Sequence, residues 1–358
     1  MGILTVEIEE FIRLSLIHPI LDVRSPSEYK HAHIPLSKSL PLFDDQERTI
    51  VGTIYKNQSR ENAIKKGLEY FGRKMSKIIE DAEEVTKNHV NSGSKTILIH
   101  CWRGGMRSAG IAWLLDLYGF KVITLKGGYK SFRNWVLDTL LEPFPFIIIG
   151  GYTGSGKTEI IHELTTKHKY FTIDLEGIAC HKGSAFGAIG QNAQPTQEMF
   201  ENLLAFDIYK IKVDELFIDK RFVFIEDESQ RIGTINLPQG FWINLKSCPT
   251  IFLEIPFKER LEYITNHYGK LDKNQLAAAI TRIQKRLGGL ETKLSLGFLL
   301  DEDFESCFSI LLNYYDKLYK KALERKSEFL NSVTRLQCDD VEKSTNTLKI
   351  ISILNDGL

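Results

Sequence analysis

Two short strings in this chain hold residue types whose spacing is chemical. The first is His100-Cys101-Trp102-Arg103-Gly104-Gly105-Met106-Arg107-Ser108. It follows an apolar, β-branched run and precedes a helical one, so Cys101 opens a loop whose amides and helix dipole converge on one point. A thiol placed there is drawn toward thiolate, and the loop becomes an oxyanion receptor with Arg107 as its guanidinium. The second string, GYTGSGKT at residues 151–158, fits G-x-x-x-x-G-K-[ST] between an apolar strand and a helical run. Backbone N–H groups of Gly151, Gly154, Ser155 and Gly156 face phosphate oxygens there, Lys157 adds a point charge, and Thr158 is able to ligate Mg²⁺. A diphosphate or triphosphate is the expected guest, and the motif leaves the rest of the ligand open. Glu226-Asp227-Glu228 ends a later strand, where Asp227 or Glu226 would hold a metal or support its shell. The plainer alternative for the three acids is a solvated strand end.

The elements that must position these groups can be read from the pattern. Short β-branched runs alternate with longer amphipathic ones, which predicts an α/β protein with mainly parallel sheets. In the first half, strands are expected at 20–23, 96–100 and 122–125, and the Lys-rich stretch 58–91 reads as one or two helices. A helix is expected from 108 to 118, with Gly119 as its cap. Pro143 and Pro145 interrupt the chain, and an apolar strand at 146–150 follows directly. A domain boundary is placed there, giving residues 1–140 and 145–358. The second half offers strands at 171–174, 222–226 and 250–255, helices after Gly156, Thr196, Pro256 and Lys273, and a purely helical pattern over 303–330.

Composition excludes several classes. The chain has 358 residues, 43% hydrophobic and 26% charged, which suits about two globular domains and no disordered or fibrous class. Its 46 basic and 46 acidic residues cancel, so a polyanion must be met by a local patch. Five Cys without a Cys-x-x-Cys pair disfavour a disulfide framework and a thiolate zinc site. Cys180, Cys248, Cys307 and Cys338 lack the setting of Cys101 and are expected to be buried packing residues. His31 and His33 are expected to serve a turn. With no basic leader, a Val6 that breaks the myristoylation pattern, and no apolar run near the ~18 residues of a span, a cytoplasmic protein with no membrane contact is expected.

The residues also carry a resemblance. Asp22-Val23-Arg24-Ser25-Pro26-Ser27-Glu28-Tyr29, His33-Ile34-Pro35 and the Cys101 loop resemble a rhodanese domain over residues ~15 to 138. Together with Leu125-Lys126-Gly127-Gly128-Tyr129-Lys130, the 151–158 loop, the string 194–202 (QPTQEMFEN) and Glu226-Asp227-Glu228-Ser229, the arrangement resembles the tRNA 2-selenouridine synthase family over nearly the whole chain. The fold so implied is a rhodanese-like parallel-sheet domain followed by a P-loop NTPase-like α/β domain with a helical C-terminal part. The resemblance implies conversion of wobble 2-thiouridine to 2-selenouridine in tRNA through an S-geranyl intermediate, with geranyl diphosphate and selenophosphate as co-substrates and no tightly bound cofactor. Cys101 and Arg107 would serve the selenium step, and Gly151, Gly154, Ser155, Gly156, Lys157 and Thr158 the diphosphate, with Mg²⁺ as an optional companion. A selenophosphate-supplying enzyme is a possible partner. One departure matters: Cys-x5-Arg is a residue longer than the usual sulfurtransferase loop and has the size seen in phosphatases. A wider cradle suits selenophosphate as readily as a phosphoester.

RNA would be met by local basic patches. From Cys101 to Arg133 there are six basic residues and one acid, with Arg103, Lys126 and Lys130 as candidate contacts. From Lys258 to Lys293 there are eight basic residues and four acids, with Arg282, Lys285 and Arg286 on one helix. Trp102 and Tyr129 are candidate stacking partners for a flipped base. Two rivals stand beside this reading: a Cys-x5-Arg phosphatase fused to a P-loop nucleotide-binding domain, and a non-catalytic nucleotide-gated module.

Overall fold

The computed structural model describes residues 2–89, 95–220, 222–329 and 333–355. The chain forms two compact units, one of residues 1–139 with 201–206 and the other of 140–200 with 207–358.

The first unit runs β1 Leu4–Val6, α1 Ile8–Ser15, β2 Ile20–Asp22, α2 Pro26–His31, β3 Lys38–Ser39, α3 Asp45–Asn57, α4 Arg60–Lys87, β4 Thr96–His100, α5 Met106–Tyr118, β5 Lys121–Leu125 and α6 Gly128–Leu141, in which the division falls. Its sheet is wholly parallel, in the order β1-β5-β4-β2-β3. The central strand β4, TILIH, is buried along its length, as a strand covered by helices on both faces must be. Asp22 pairs with His100 and Thr124 with Ile99 in register, so the loops after β2, β4 and β5 gather at one edge. Local chemistry fixes the helix starts there. Pro26 opens α2, whose capping box joins Ser25 and Glu28. The expected 58–91 helix is the single α4, residues 90 and 91 lying outside the described residues, and Gly119 caps α5 as its position foretold.

The second unit begins with β6 Phe146–Gly151, α7 Lys157–Thr166, β7 Phe171–Ile173, α8 Leu175–Ala179, α9 Gln197–Lys212, α10 Phe217–Lys220 and β8 Val223–Glu226. It continues with the hairpin β9 Arg231–Ile232 and β10 Ile235–Asn236, then α11 Gln239–Lys246 and β11 Thr250–Glu254. Four helices follow: α12 Phe257–Tyr268, α13 Lys273–Leu287, α14 Gly289–Leu300 and α15 Phe304–Phe329. They carry their own core around Leu276, Ile280, Phe308 and Leu312. The helical pattern read over 303–330 is α15, residue 330 lying outside the described residues. The chain then returns to the sheet as β12 Val333–Gln337, parallel to β11, and ends in α16 Lys343–Asn355. The helical block is therefore an excursion between neighbouring strands of a parallel β12-β11-β6-β8-β7 sheet.

Candidate functional site

Cys101 follows β4 directly, and Gly105 caps the helix that ends its loop. The residue is buried, 3% exposed. The Ser108 hydroxyl lies 3.2 Å from its Sγ and the Gly105 amide donates to it at 3.3 Å. Burial alone would raise the thiol, yet the Ser108 hydroxyl and the amides of Gly105, Ser108 and Arg103 outweigh it and bring Cys101 below the usual thiol range. Cys307 provides the internal contrast. It is buried as well, has no such donors among the described residues, and burial with the Asp303 charge pushes it up to about 12. The loop, not the depth, sets the direction of the Cys101 shift.

The loop rests on the turn after β5. Tyr129 and Lys130 amides donate to the carbonyls of Cys101 and Trp102. Gly128 has φ +60, and a Cβ there would lie 2.4 Å from the Cys101 carbonyl oxygen and 2.5 Å from the Gly104 nitrogen, so only glycine fits. Beneath it, Arg24 is buried, forks onto Asp22 and stands 3.7 Å over the Tyr129 ring. Burial pulls His100 down to about 4, leaving it neutral beside Cys101.

Arg107, read from the sequence as the anion guanidinium, donates to Glu28 at 2.7 and 3.4 Å. The same carboxylate accepts the Ser25 amide that starts α2, so Glu28 joins the loop to that helix. Tyr129 is not a surface for stacking a base: it is fully buried, and its hydroxyl accepts from Asn202. Trp102 is 39% exposed, its ring 5.6 Å from that of Tyr129. Arg103, Lys126 and Lys130 are exposed, and Lys126 pairs with Glu7. Of the other cysteines, Cys307 and Cys338 are buried as expected, whereas Cys180 and Cys248 are half-buried because each follows the end of a short helix. His33 stacks on Tyr29 at 4.0 Å and contacts its carbonyl, which is the packing role its sequence position implied.

In the second unit residues 152–156 connect β6 to the head of α7, and the Ser155 amide donates to the Tyr152 carbonyl at 3.2 Å. Gly154 has φ +81 and Gly156 φ +68, conformations that the motif glycines supply. Ser155 is buried and its hydroxyl donates to the Tyr152 carbonyl at 2.6 Å. Lys157 Nζ donates to the Gly151 carbonyl at 3.2 Å and lies 5.7 Å from the Tyr319 ring centre. Burial disfavours its charge, but Tyr319, Glu228, Glu176 and Glu226 hold it above the ordinary lysine range.

Acids crowd this site. Thr158 donates to Glu176 at 2.9 Å, and the Glu176 amide donates to Glu226 at 3.2 Å. Burial, then the charges of Glu176 and Asp174, pushes Glu226 up to about 8; burial and Glu176 also hold Glu228 well above the ordinary carboxylate range. Asp227 lies against Gly150, 3.4 Å from where a Cβ would stand. Glu226 Oε1 is buried without a hydrogen-bond partner among the described residues, the kind of vacancy that a cation or proton answers. No group of three or more His, Cys, Asp or Glu among the described residues is arranged to hold a metal by itself. A Mg²⁺ ion therefore fits here only with phosphate oxygens completing its shell beside Thr158 and Glu226, the usual habit of that ion. Glu176 and Tyr319 escaped the sequence reading, and Glu228 stood in a quoted string without a role of its own. Glu176 follows β7 at the start of a five-residue helix, too short for a pattern, and Tyr319 comes from α15. Arg282, Lys285 and Arg286 are exposed on α13, Arg282 touching the Ala185 carbonyl at 3.3 Å.

A parallel α/β unit with a cysteine loop, joined to a P-loop unit, defines a rhodanese-like domain fused to a P-loop-like domain. Family models agree: the rhodanese-like domain matches residues 7–134, and the tRNA 2-selenouridine synthase AAA domain matches 144–349. Curated tRNA 2-selenouridine synthases are similar over nearly full length. That of Sulfurovum sp. (strain NBC37-1) is 33% identical, with 86% of this chain and 90% of the relative covered. Those of Pseudomonas putida (strain W619) and Shewanella pealeana (strain ATCC 700345 / ANG-SQ1) are 33% and 32% identical, each with 87% of this chain and 90% of the relative covered. The chain belongs to the tRNA 2-selenouridine synthase family. Among the described residues no helix is long and apolar enough to cross a membrane.

Proposed function

We propose that this enzyme converts 2-thiouridine in tRNA to 2-selenouridine in two steps, one for each cradle. In the first, the base sulfur attacks the terminal carbon of geranyl diphosphate, the C–O bond breaks, and diphosphate leaves. Backbone amides at 154–156 and Lys157 receive its developing charge, and a Mg²⁺ held by Thr158 and Glu226 would share that load when bound. In the second, selenium from selenophosphate adds at C2 of the base, geranyl thiol departs, and water cleaves the Se–P bond to leave phosphate. Alkylation makes this exchange feasible, because a thioether sulfur leaves as a thiol. The Cys101 loop receives the selenophosphate oxyanion on its amides, with Arg107 available once it exchanges Glu28 for the donor, and the Cys101 thiolate serves the selenium step. Arg103, Lys126, Lys130, Arg282, Lys285 and Arg286 are the exposed cations that would meet the tRNA backbone. No tightly bound cofactor is required.

The observation that carries the reading is the lowered Cys101 thiol, which burial opposes and the loop donors win, in a chain of this family. The test incubates the protein with 2-thiouridine-containing tRNA, geranyl diphosphate and selenophosphate, and follows nucleosides by mass spectrometry. Lys157→Ala is expected to stop S-geranylation. Cys101→Ala is expected to impair selenium entry more than geranylation. Equal and complete loss of both products in both folded variants would overturn the division of labour.

A further inference from the structure

Selenophosphate brings selenium and phosphorus together, and the oxidation state of selenium limits what Cys101 can do with either. Selenium in that donor is at the selenide level, and it is still so in the selone of 2-selenouridine. A Cys101–S–Se bond would oxidise it, needing one reagent to make the bond and another to break it. The five cysteines are all free, so the chain holds no disulfide to supply that oxidation. Attack of the sulfur on phosphorus changes no oxidation state. The loop suits that attack. Five residues separate Cys101 from Arg107, Cys101 is buried, and the Gly105 amide donates to its Sγ at 3.3 Å. A phosphoryl group is small enough to reach a buried sulfur, whereas a planar base bearing a prenyl chain is not. The Ser108 hydroxyl lies 3.2 Å from Sγ and donates to the Gly105 carbonyl at 3.0 Å, so its proton can turn to the sulfur whenever that carries charge. A sulfur that takes up a phosphoryl group and then releases it needs this donor twice, as nucleophile and as leaving group.

Transfer from an ordinary phosphoester also asks for an acid to protonate the departing oxygen. Glu28 is the carboxylate at this loop. Burial would raise it, but Arg107 outweighs burial and holds it below the ordinary range, so it has no proton to give. A selenium leaving group that spreads its charge into the pyrimidine ring asks for none. We propose that Cys101 is the nucleophile that removes phosphorus from the selenated base, through a phosphocysteine. Sγ attacks the phosphorus of the base–Se–phosphoryl adduct, an S–P bond forms, and the Se–P pair goes to selenium and the ring. Water then attacks that phosphorus, the S–P pair returns to Sγ, phosphate leaves, and the ring takes a proton at N3. One water is consumed overall and no electrons change hands, so the hydrolysis of the Se–P bond runs by way of the enzyme. The inference rests on the two-step reading and adds what the thiolate does in its second step.

The test mixes the full chain with S-geranyl-2-thiouridine tRNA and selenophosphate radiolabelled on phosphorus, quenches in alkaline denaturant, and maps the label by peptide mass spectrometry. One phosphoryl group is expected on the peptide that holds Cys101, and selenium-labelled donor should leave that peptide unlabelled. Ser108→Ala should make the phosphopeptide persist about 10-fold longer, since the departing thiolate loses a hydrogen bond to a charged atom. A second arm needs no tRNA. Orthovanadate takes the five-coordinate shape of phosphorus under attack, and it should protect Cys101 from iodoacetamide on the order of 100-fold more tightly than phosphate does. Three results would overturn the phosphocysteine while the two-step reading stands: selenium or the nucleoside on Cys101 in place of phosphorus; no phosphorus label in either protein while 2-selenouridine forms; or vanadate that protects no better than phosphate. Failure of the S-geranyl tRNA to yield any 2-selenouridine would overturn the two-step reading as well.

Discussion

Two glycine-bearing loops in this molecule share one backbone plan and manage charge in opposite ways. Each is a parallel strand, a glycine-bearing loop and a helix head. At Cys101 the donors are amides and one hydroxyl, the nearby His100 is kept neutral, and Arg107 is answered by a single carboxylate, Glu28. At Lys157 the ammonium group faces Glu176, Glu226 and Glu228, two of which are pushed up well beyond the carboxylate range. The first site is poised to hold a negative charge of its own on sulfur. The second has an excess of acids that protons must quiet until a cation or its guest rearranges them. The same fold element thus carries two different electrostatic settings, and the side chains around it decide which.

The comparison breaks first, and with the largest effect, on crossed substitutions. Lys157→Ala should weaken diphosphate binding on the order of 100-fold, measured by titration, and leave the rate of iodoacetamide labelling of Cys101 unchanged. Cys101→Ala should remove that labelling and leave diphosphate binding intact. A loss that spreads to both sites would show that the cradles are not independent.

Gly128→Ala probes the support of the first loop alone. Its φ of +60 and the 2.4 Å approach to the Cys101 carbonyl put backbone against the new Cβ, which should cost about 1–3 kcal/mol or more, read as a lower Tm. Diphosphate affinity should survive at temperatures where the protein stays folded.

A subtler arm concerns pH. Glu226 has a folded pKa of about 8 against 4.5 for an ordinary glutamate, so between those values the native protein holds more protons than the unfolded chain. Stability should therefore fall as pH rises from about 5 to 8, by on the order of 5 °C in Tm, and Glu226→Gln should flatten the slope. An unchanged slope would mean that Glu226 is not the group being forced to ionise.

The smallest expected effect is at Ser108. Thiolate fraction rises with pH through the Cys101 pKa, which the Ser108 hydroxyl helps to lower. Ser108→Ala should move the pH profile of Cys101 alkylation to higher pH, a few-fold loss of rate near neutrality without loss of the plateau. An unmoved profile would assign the lowering to the amides alone.

Much of this was legible because motif and element coincide. The cysteine after an apolar strand, GYTGSGKT before α7 and Gly119 at the end of α5 are local signals, and local geometry follows from them. What stayed hidden depends on pairing across the fold. β1 and β3 are three and two residues long, below any period, and appear only because β5 and β2 offer them edges. Glu28 stood in a quoted motif, yet its grip on Arg107 joins residues 79 positions apart. Tyr129 looked like a stacking surface because aromatic type is visible in a sequence and burial beneath Arg24 is not. Tyr319 approaches Lys157 from α15, the last helix of the excursion.

Those helices leave the sheet after β11 and rejoin it at the adjacent β12, so their number and length are not dictated by strand pairing. Such a segment tolerates lengthening, trimming and exchange far better than the strands it joins. In evolutionary terms it can be edited as one stretch of chain, provided that Arg260, Asp316 and Tyr319 go on meeting the loop of β6.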